Sequence, residues 1–268
     1  MKPQPLLSRP SATLSSLSEG EEREGRGVVG VRDSKREISA RQNLARVLVA
    51  ASVVLVSADG FGAERATDSW TPLFDGKTTA GWRGYGETGF PKKGWAVEDG
   101  CLKKIAGERG GNIVTEDEFN DFELEWEWKL PPKANNGVKY LVTEARPSAP
   151  GHEYQMVDDS AMKDPRSKTA TFYDVLPLSV KSPVKPPGEW NTSRIRVQGN
   201  HVEHWLNGIK VLEYELGSAE VKSALANTKF KDEPGFGEKI KGRIMLTDHG
   251  DEAWFRKIQI RELPPQRP

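Results

Sequence analysis

The chain has 268 residues, with 39 basic and 39 acidic side chains and a single cysteine. This balance provides no net field to concentrate a polyanion, so nucleic acid is excluded as the expected partner. One cysteine excludes an intramolecular disulfide and a cluster of thiolate metal ligands, and Cys101 is expected to be a small buried residue near a strand end.

The first sixty residues predict no folded domain. Residues 1–40 are rich in Ser, Gly, Glu and Arg, which predicts disorder or a start site assigned too far upstream. Residues 41–63 combine a short basic region, the apolar run Val47–Val56 and small residues at Ala58 and Ala63, the pattern of a secretory signal peptide. A membrane anchor needs roughly 20 apolar residues. We therefore expect export to the periplasm or the exterior, and no stable membrane insertion after cleavage.

From Trp70 onward, short alternating stretches are separated by Gly, Pro, Asn and Asp, which is typical of β-strands. The clearest is 122–130, where every even position is apolar and every odd one charged. A strand places the even positions on one face and the charged ones towards water. The charged positions are Glu123, Glu125, Glu127 and Lys129.

Further strands follow the same logic, and a domain is expected over residues 70–263. The dipeptides Asp99-Gly100 and Asn207-Gly208 predict tight hairpin turns, and only 218–228 predicts a short helix. Many strands without helical crossovers predict an all-β sandwich of antiparallel sheets. The additional strands are predicted at 95–102, 138–142, 194–198, 204–206, 209–214, 244–248 and 254–262.

Several segments of this domain form a recognisable series of motifs, namely 70–77 with Gly81-Trp82, 136–138, 151–158, 188–191, 204–208, 248–250, 255–256 and 258–261. In this order they resemble the 3-keto-disaccharide hydrolase family. The resemblance implies a concanavalin A-like jelly-roll β-sandwich, a bacterial and often exported protein, and glycoside substrates whose sugar carries a ketone at carbon 3. Thr247 and Lys257 depart from residues that relatives often carry there, a difference that bears on the substrate more than on the fold.

Ordinary glycosidases need two carboxyl groups across the scissile bond, and sandwich glucanases carry them as a Glu-x-Asp-x-x-Glu run, which is absent here. The glutamates of 122–130 alternate with Trp and Leu, which favours a solvated face. A 3-keto sugar instead needs a base for the acidic hydrogen on carbon 2, a donor for the enolate oxygen, and a group that protonates the leaving oxygen.

The best-matched motif contains Glu153 and Gln155, which share one face of a predicted strand. We expect Glu153 to be the base or a metal ligand, with solvent exposure as the alternative, and Gln155 to orient the substrate. His152 is expected on the opposite face. Asp248 and His249 lie where a strand runs into a glycine, and an imidazole there suits acid–base exchange or metal binding.

Four further residues are candidates for substrate binding. Arg256 either neutralises the enolate or pairs with Asp248. Tyr154, Tyr173 and Trp190 either stack on a pyranose ring or pack in the core. No cofactor can be assigned from the sequence. A divalent cation stays an open alternative, including calcium at the loop after residue 158, although no stretch spells out the six or more oxygens that calcium needs.

The leading hypothesis is an exported enzyme that cleaves 3-keto-glycosides by C2 deprotonation, β-elimination and rehydration, through Glu153 and the pair Asp248 and His249. The first alternative is a non-catalytic carbohydrate-binding sandwich. The second is a structural or adhesive sandwich without a sugar ligand.

Overall fold

The computed structural model describes residues 69–265. The predicted leader at 1–40 and the predicted signal peptide at 41–63 lie outside these residues. No helix in the described range is long and apolar enough to cross a membrane.

The regular structure of the described chain is mainly antiparallel strands, with one short α-helix, α1, at Ala219–Leu225 and single 3-10 turns at Asp159–Ala161 and Pro165–Ser167. In chain order the strands are β1 Thr71–Pro72, β2 Trp82–Gly84, β3 Trp95–Glu98, β4 Cys101–Lys104, β5 Ile113–Thr115, β6 Phe122–Lys129, β7 Asn135–Val142, β8 His152–Val157, β9 Asn191–Gln198, β10 His201–Leu206, β11 Ile209–Glu215, β12 Arg243–Leu246 and β13 Ala253–Glu262.

The strands form two sheets. The larger has the order β11-β10-β9-β6-β13-β4-β3, with β1 also paired to β13, and the smaller has the order β2-β5-β12-β7-β8. All of these pairings are antiparallel. The predicted all-β sandwich of antiparallel sheets is confirmed.

Both predicted hairpin turns are present. Asp99 and Gly100 join β3 to β4 with φ of 51° and 72°, and Asn207 and Gly208 join β10 to β11 with φ of 49° and 81°. Positive φ at both central residues is what a type I′ turn requires, and Asn, Asp and Gly tolerate it best. Cys101 opens β4 as a buried residue, as predicted, and burial raises the pKa of its thiol.

The alternation of β6 holds with one exception. Its even positions are buried, whereas Glu125 and Glu127 are half-buried on the outer face. Glu123, predicted to point to water, is only 5% exposed, because Arg196 and Arg261 cover it at 3.2 and 2.6 Å. Two long cationic side chains can bury a carboxylate on a sheet surface when they pair with it.

Polar side chains between the sheets are tied across the core. The Tyr140 hydroxyl lies 2.9 Å from Nε2 of His204, and the Tyr154 hydroxyl lies 2.8 Å from Oγ of Ser193. Trp128 donates its indole N–H to the same Ser193 oxygen at 2.8 Å. These contacts fix the register of the smaller sheet on the larger one and therefore fix which β8 side chains face outward.

Candidate active site

Strand β8 presents two polar side chains on the outer face of the smaller sheet. His152 and Tyr154 face the larger sheet, and the Tyr154 hydroxyl reaches Ser193 there. Successive strand residues point to opposite faces, so Glu153 and Gln155 point outward. They are nevertheless only 6% and 2% exposed. The outer face of β8 is thus a covered polar site.

The Glu153 carboxylate lies between two basic groups. Lys139, its cross-strand partner on β7, places Nζ 3.3 Å from Oε2, and His249 places Nε2 3.8 Å from Oε1. Burial raises the pKa of Glu153, but the charge of Lys139 and the contact with His249 outweigh it and leave that pKa below its ordinary value. Glu153 is therefore an ionised, desolvated carboxylate at neutral pH.

The neighbours of Glu153 shape the space around this carboxylate. Tyr173 donates its backbone N–H to the Glu153 carbonyl at 3.0 Å, which puts the half-buried Tyr173 beside it on the strand edge. Gly137 on β7 lies under the carboxylate, since a Cβ there would stand 3.0 Å from its Cδ. The Gln155 amide donates to the Ser167 carbonyl at 3.4 Å. The sequence prediction that Glu153 and Gln155 share a face agrees with this arrangement.

His249 comes from the loop that follows β12, and its side chain is 42% exposed. It is the most solvent-accessible member of the site, so a bound substrate can reach it. The structure thereby brings Glu153 and His249 together from segments almost one hundred residues apart, as the leading hypothesis requires.

Asp248 has a different environment. Its side chain is 3% exposed, and its Oδ1 lies 3.1 Å from Nζ of Lys104, which is itself fully buried. Burial raises the pKa of Asp248, but the hydrogen bonds from Lys104 and from the backbone outweigh burial and leave that pKa below its ordinary value. The backbone donors are the N–H groups of Gly110, Gly111 and Gly250, each at 2.9 Å.

With both oxygens bonded in this way, the Asp248 carboxylate joins the loop after β4 to the loop that carries His249. That arrangement suits a residue that positions the imidazole. The catalytic role predicted for Asp248 stays a prediction, and its contacts favour action through His249 over direct contact with a substrate.

The predicted ion pair between Arg256 and Asp248 is wrong. Arg256 lies on the outer face of the larger sheet, where its Nε contacts Glu127 at 2.7 Å and its guanidinium stacks 3.8 Å from the Trp190 ring centre. The register of β13 against β6 pairs Arg256 directly with Glu127. The Lys129 ammonium also lies over the Trp190 ring, 5.1 Å from its centre. The geometry places both predicted substrate-binding residues outside the Glu153 site.

The two tyrosines among the candidates differ. Tyr154 is fully buried, with its hydroxyl bonded to Ser193 and to the Trp205 carbonyl, which is the core-packing alternative. Tyr173 stays beside Glu153, with the Lys229 ammonium 4.5 Å from its ring centre. Tyr173 is thus the aromatic candidate that remains next to the site.

Cation binding has two candidate places. Among residues 69–265, His201, Glu203 and Glu213 bring ligand atoms within 4.8 Å of one another, on the outer face of the larger sheet. Lys210 pairs with both of these glutamates, so a cation already sits in that group. At Glu153, the Lys139 ammonium likewise provides the positive charge that a metal would supply.

The loop after β8 uses its acidic residues for its own structure. Asp158 accepts from the backbone N–H groups of Lys133 and Ser160, at 2.9 and 3.0 Å. Asp159 accepts from the Thr169 N–H at 2.7 Å. Hydrogen bonds from backbone N–H groups, one in a local turn and two from more distant residues, therefore account for the two aspartates that the sequence left open for calcium.

Sequence reasoning did not select Lys139. The signal was present, because the strand predicted at 138–142 alternates and puts Lys139 on the face opposite its two apolar neighbours. What was missing is the β7–β8 register, which sets Lys139 directly across from Glu153.

Comparison with known proteins gives a consistent result. Residues 69–261 match the family described as the 3-keto-alpha-glucoside-1,2-lyase-like domain. The chain is 36% identical over 233 residues to a protein of Bacteroides thetaiotaomicron named 3-keto-disaccharide hydrolase, covering 73% of this chain and 79% of that protein.

Two solved structures from Parabacteroides distasonis, both titled as glycosyl hydrolases, are similar in fold. The first is 32% identical with a TM-score of 0.65 and covers 73% of this chain and 94% of its own. The second is 30% identical with a TM-score of 0.60 and covers 73% of this chain and all of its own.

Proposed function

The chain belongs to the 3-keto-alpha-glucoside-1,2-lyase-like family and is a glycoside hydrolase, and from that premise we propose that it cleaves glycosides whose sugar ring carries a ketone at carbon 3. Glu153 is the general base of this reaction, and His249 is the acid for the leaving group. We further propose that the chain is exported by way of its predicted signal peptide.

The observation that carries the proposal is the state of Glu153. A buried carboxylate with two basic neighbours at 3.3 and 3.8 Å is ionised and poorly hydrated, so it can accept a proton as soon as a carbon acid is placed against it. A ketone at carbon 3 makes the hydrogen on carbon 2 such a carbon acid.

The reaction balances without a redox partner. Glu153 takes the proton from carbon 2, and the electron pair of that C–H bond moves through carbon 3 onto the ketone oxygen as an enolate. When the enolate collapses, a C1–C2 double bond forms and the C1–O bond breaks, with His249 giving a proton to the departing oxygen. Water then adds across the enone at carbons 1 and 2, which completes a net hydrolysis.

Hydrolysis through a pair of carboxyl groups, by single or double displacement, is less favoured at this site. A glycosidase of that kind needs a second free carboxyl group about 5 to 9.5 Å from the first. Asp248, the other carboxylate of the matched motifs, is bonded to Lys104 and to three backbone N–H groups. The site as built favours one base and one imidazole.

Substitution of Glu153 with Gln tests the proposal. With an aryl 3-keto-glucoside as substrate, we expect kcat to fall by about 10²–10⁴-fold, the usual contribution of a general base, with KM changed little. The rate of the wild-type enzyme should fall when acid protonates Glu153. Because the pKa of Glu153 is lowered, this fall should occur at a lower pH than for an ordinary glutamate. The non-oxidised glucoside should not be turned over by either protein.

A matched control is Glu125→Gln on the outer face of the larger sheet, where Glu125 contacts Gln259 at 3.2 Å. This variant should keep wild-type rates. If the wild-type protein binds the 3-keto-glucoside without turning it over, the non-catalytic carbohydrate-binding alternative replaces the proposal.

A further inference from the structure

The proposed mechanism leaves one position unfilled, the donor that meets the negative charge on the oxygen of carbon 3. Arg256, the residue the sequence suggested for this task, is on the other sheet and paired with Glu127. We propose that Lys139 is this donor. The inference rests on the proposed function and extends it by naming the electrophilic catalyst and the substrate atom it contacts.

Position is the first argument. Lys139 and Glu153 are cross-strand partners on the outer face of the smaller sheet, and the ammonium lies 3.3 Å from Oε2. The Lys139 side chain is 16% exposed against 7% for Glu153, so more of the lysine side chain is open to an approaching ligand. A sugar ring whose carbon 2 approaches Glu153 has its carbon 3 oxygen within a few ångströms of the same place.

Spare hydrogen-bonding capacity is the second argument. An ammonium carries three N–H donors. Among residues 69–265, the polar contact of the Lys139 ammonium is with the Glu153 carboxylate. Donors therefore remain for an oxygen atom of a ligand.

Charge movement is the third argument. Before proton transfer the negative charge is on Glu153, and after it the charge is on the enolate oxygen. An ammonium adjacent to both positions stays paired throughout, so the site needs no new counter-charge and little reorganisation during the step. Fixed charges of this kind in a poorly hydrated site stabilise a developing oxyanion strongly.

Three other basic residues are less well placed. Lys104 is fully buried and bonded to Asp248. Arg83 forms a two-point contact with Glu144, at 2.8 and 3.1 Å, and it lies four strands away across the sheet. Adjacent strands are about 4.8 Å apart, so Arg83 is roughly 19 Å from Glu153 along the sheet. His249 is already assigned to the leaving oxygen.

A ligand without a leaving group isolates the step in which Lys139 acts. The 3-ketone of 1,5-anhydroglucitol carries two hydrogen atoms and the ring oxygen on carbon 1, so it can form the enolate but has no aglycone to expel. In deuterated buffer, wild-type enzyme should exchange the C2 hydrogen, as followed by NMR. We expect Lys139→Met to slow this exchange, and kcat on an aryl 3-keto-glucoside, by about 10²–10³-fold, the cost of removing one oxyanion donor.

Two further variants show whether an effect on exchange is specific to Lys139. Lys210→Met removes a lysine that pairs with glutamates on the other sheet and should leave exchange unchanged. Replacement of His249 with Gln should block elimination but keep exchange. Thermal unfolding and substrate binding are compared for all variants, to show that each is folded.

Two results would overturn the assignment of Lys139. One is wild-type exchange and turnover in the Lys139→Met variant. The other is activity that returns fully at higher pH, which would mean that Lys139 only keeps Glu153 ionised. If the wild-type enzyme itself neither exchanges nor cleaves 3-keto-glycosides, the proposed function fails instead.

Discussion

The absence of a side chain at Gly137 leaves the space that the Glu153 carboxylate occupies. The two lie on adjacent strands of the smaller sheet, and a Cβ on residue 137 would overlap Oε1 of Glu153. The φ of Gly137 is outside the left-handed region, so alanine is compatible with its backbone. The absence of a side chain is therefore needed for the carboxylate and not for the strand.

Replacement of Gly137 with Ala should impair activity more than stability. The added methyl group pushes aside the flexible end of Glu153, and a displacement of about 1 Å at a reacting group costs up to roughly 10²-fold in rate. We expect kcat to fall by about 10–100-fold and the melting temperature to change little. Gly89→Ala is the matched control, because nothing lies within 4 Å of its Cβ position. Equal kinetics for the two variants would contradict this role for Gly137.

At the scale of single residues, the local sequence pattern predicted the direction of side chains but not which residues pair in the folded protein. That Glu153 and His152 point to opposite faces of the strand follows from alternation alone, and the structure agrees. The expected Arg256–Asp248 pair failed because two motifs close in the sequence diverge when β13 joins the larger sheet. Lys139 was missed for the converse reason, since its importance depends on a register that a single sequence does not display.

At the scale of elements, a buried ion pair holds the loop that carries His249. The ammonium of Lys104, at the end of β4, contacts Asp248 and donates to the carbonyl oxygens of Ile105 and Glu108. The ammonium and the carboxylate are both shielded from water, so neither can lose its partner without a large desolvation penalty.

Asp248→Asn should therefore destabilise the fold as well as impair activity. Removing one partner of a buried ion pair leaves an uncompensated charge and costs about 3–5 kcal/mol, which corresponds to roughly 10 °C in the melting temperature of a domain this size. Catalysis should fall too, since the loop no longer fixes His249. Differential scanning calorimetry and steady-state kinetics provide the two readouts.

The double variant Lys104→Met with Asp248→Asn distinguishes a buried charge from a general packing defect. Removing the lysine eliminates the unpaired charge, so the double variant should regain a large part of the lost stability. Losses that simply add would contradict the ion-pair explanation.

Alternation of apolar and polar residues predicts some strands of this fold and not others. Those of the larger sheet alternate clearly, since one face is solvated, and β6, β9, β10, β11 and β13 all fall where alternation predicts them. The smaller sheet contains β5, in which all three residues are buried, so it has no alternation to detect. Its pairing with β12 and β2 is a product of tertiary structure.

At the scale of the whole molecule, two histidines are enclosed in the core. His204 accepts a hydrogen bond from the Tyr140 hydroxyl and donates one to the Ala170 carbonyl, and its burial lowers its pKa to about 4. His152 accepts from the Gly237 N–H, and burial together with nearby positive charge lowers its pKa to about 3. Both rings are therefore neutral in the folded protein at neutral pH.

These histidines should make the sandwich sensitive to acid. In the unfolded chain a histidine titrates near 6.5, so between that pH and the lower folded pKa the unfolded state binds the proton more tightly. Their stabilising contribution is complete above about pH 6.5 and is lost as the pH falls towards 4 for His204 and towards 3 for His152. By pH 5 each should have cost about 2 kcal/mol of unfolding free energy.

Urea unfolding at pH 8 and pH 5 measures this loss directly. His204→Gln should be less stable than the wild type at pH 8, because the glutamine fits the core less well. Its further loss between pH 8 and pH 5 should nevertheless be smaller by about 2 kcal/mol, since it has no proton to take up there. If His204→Gln shows the full wild-type loss, the His204 ring that joins the two sheets does not contribute to the acid sensitivity.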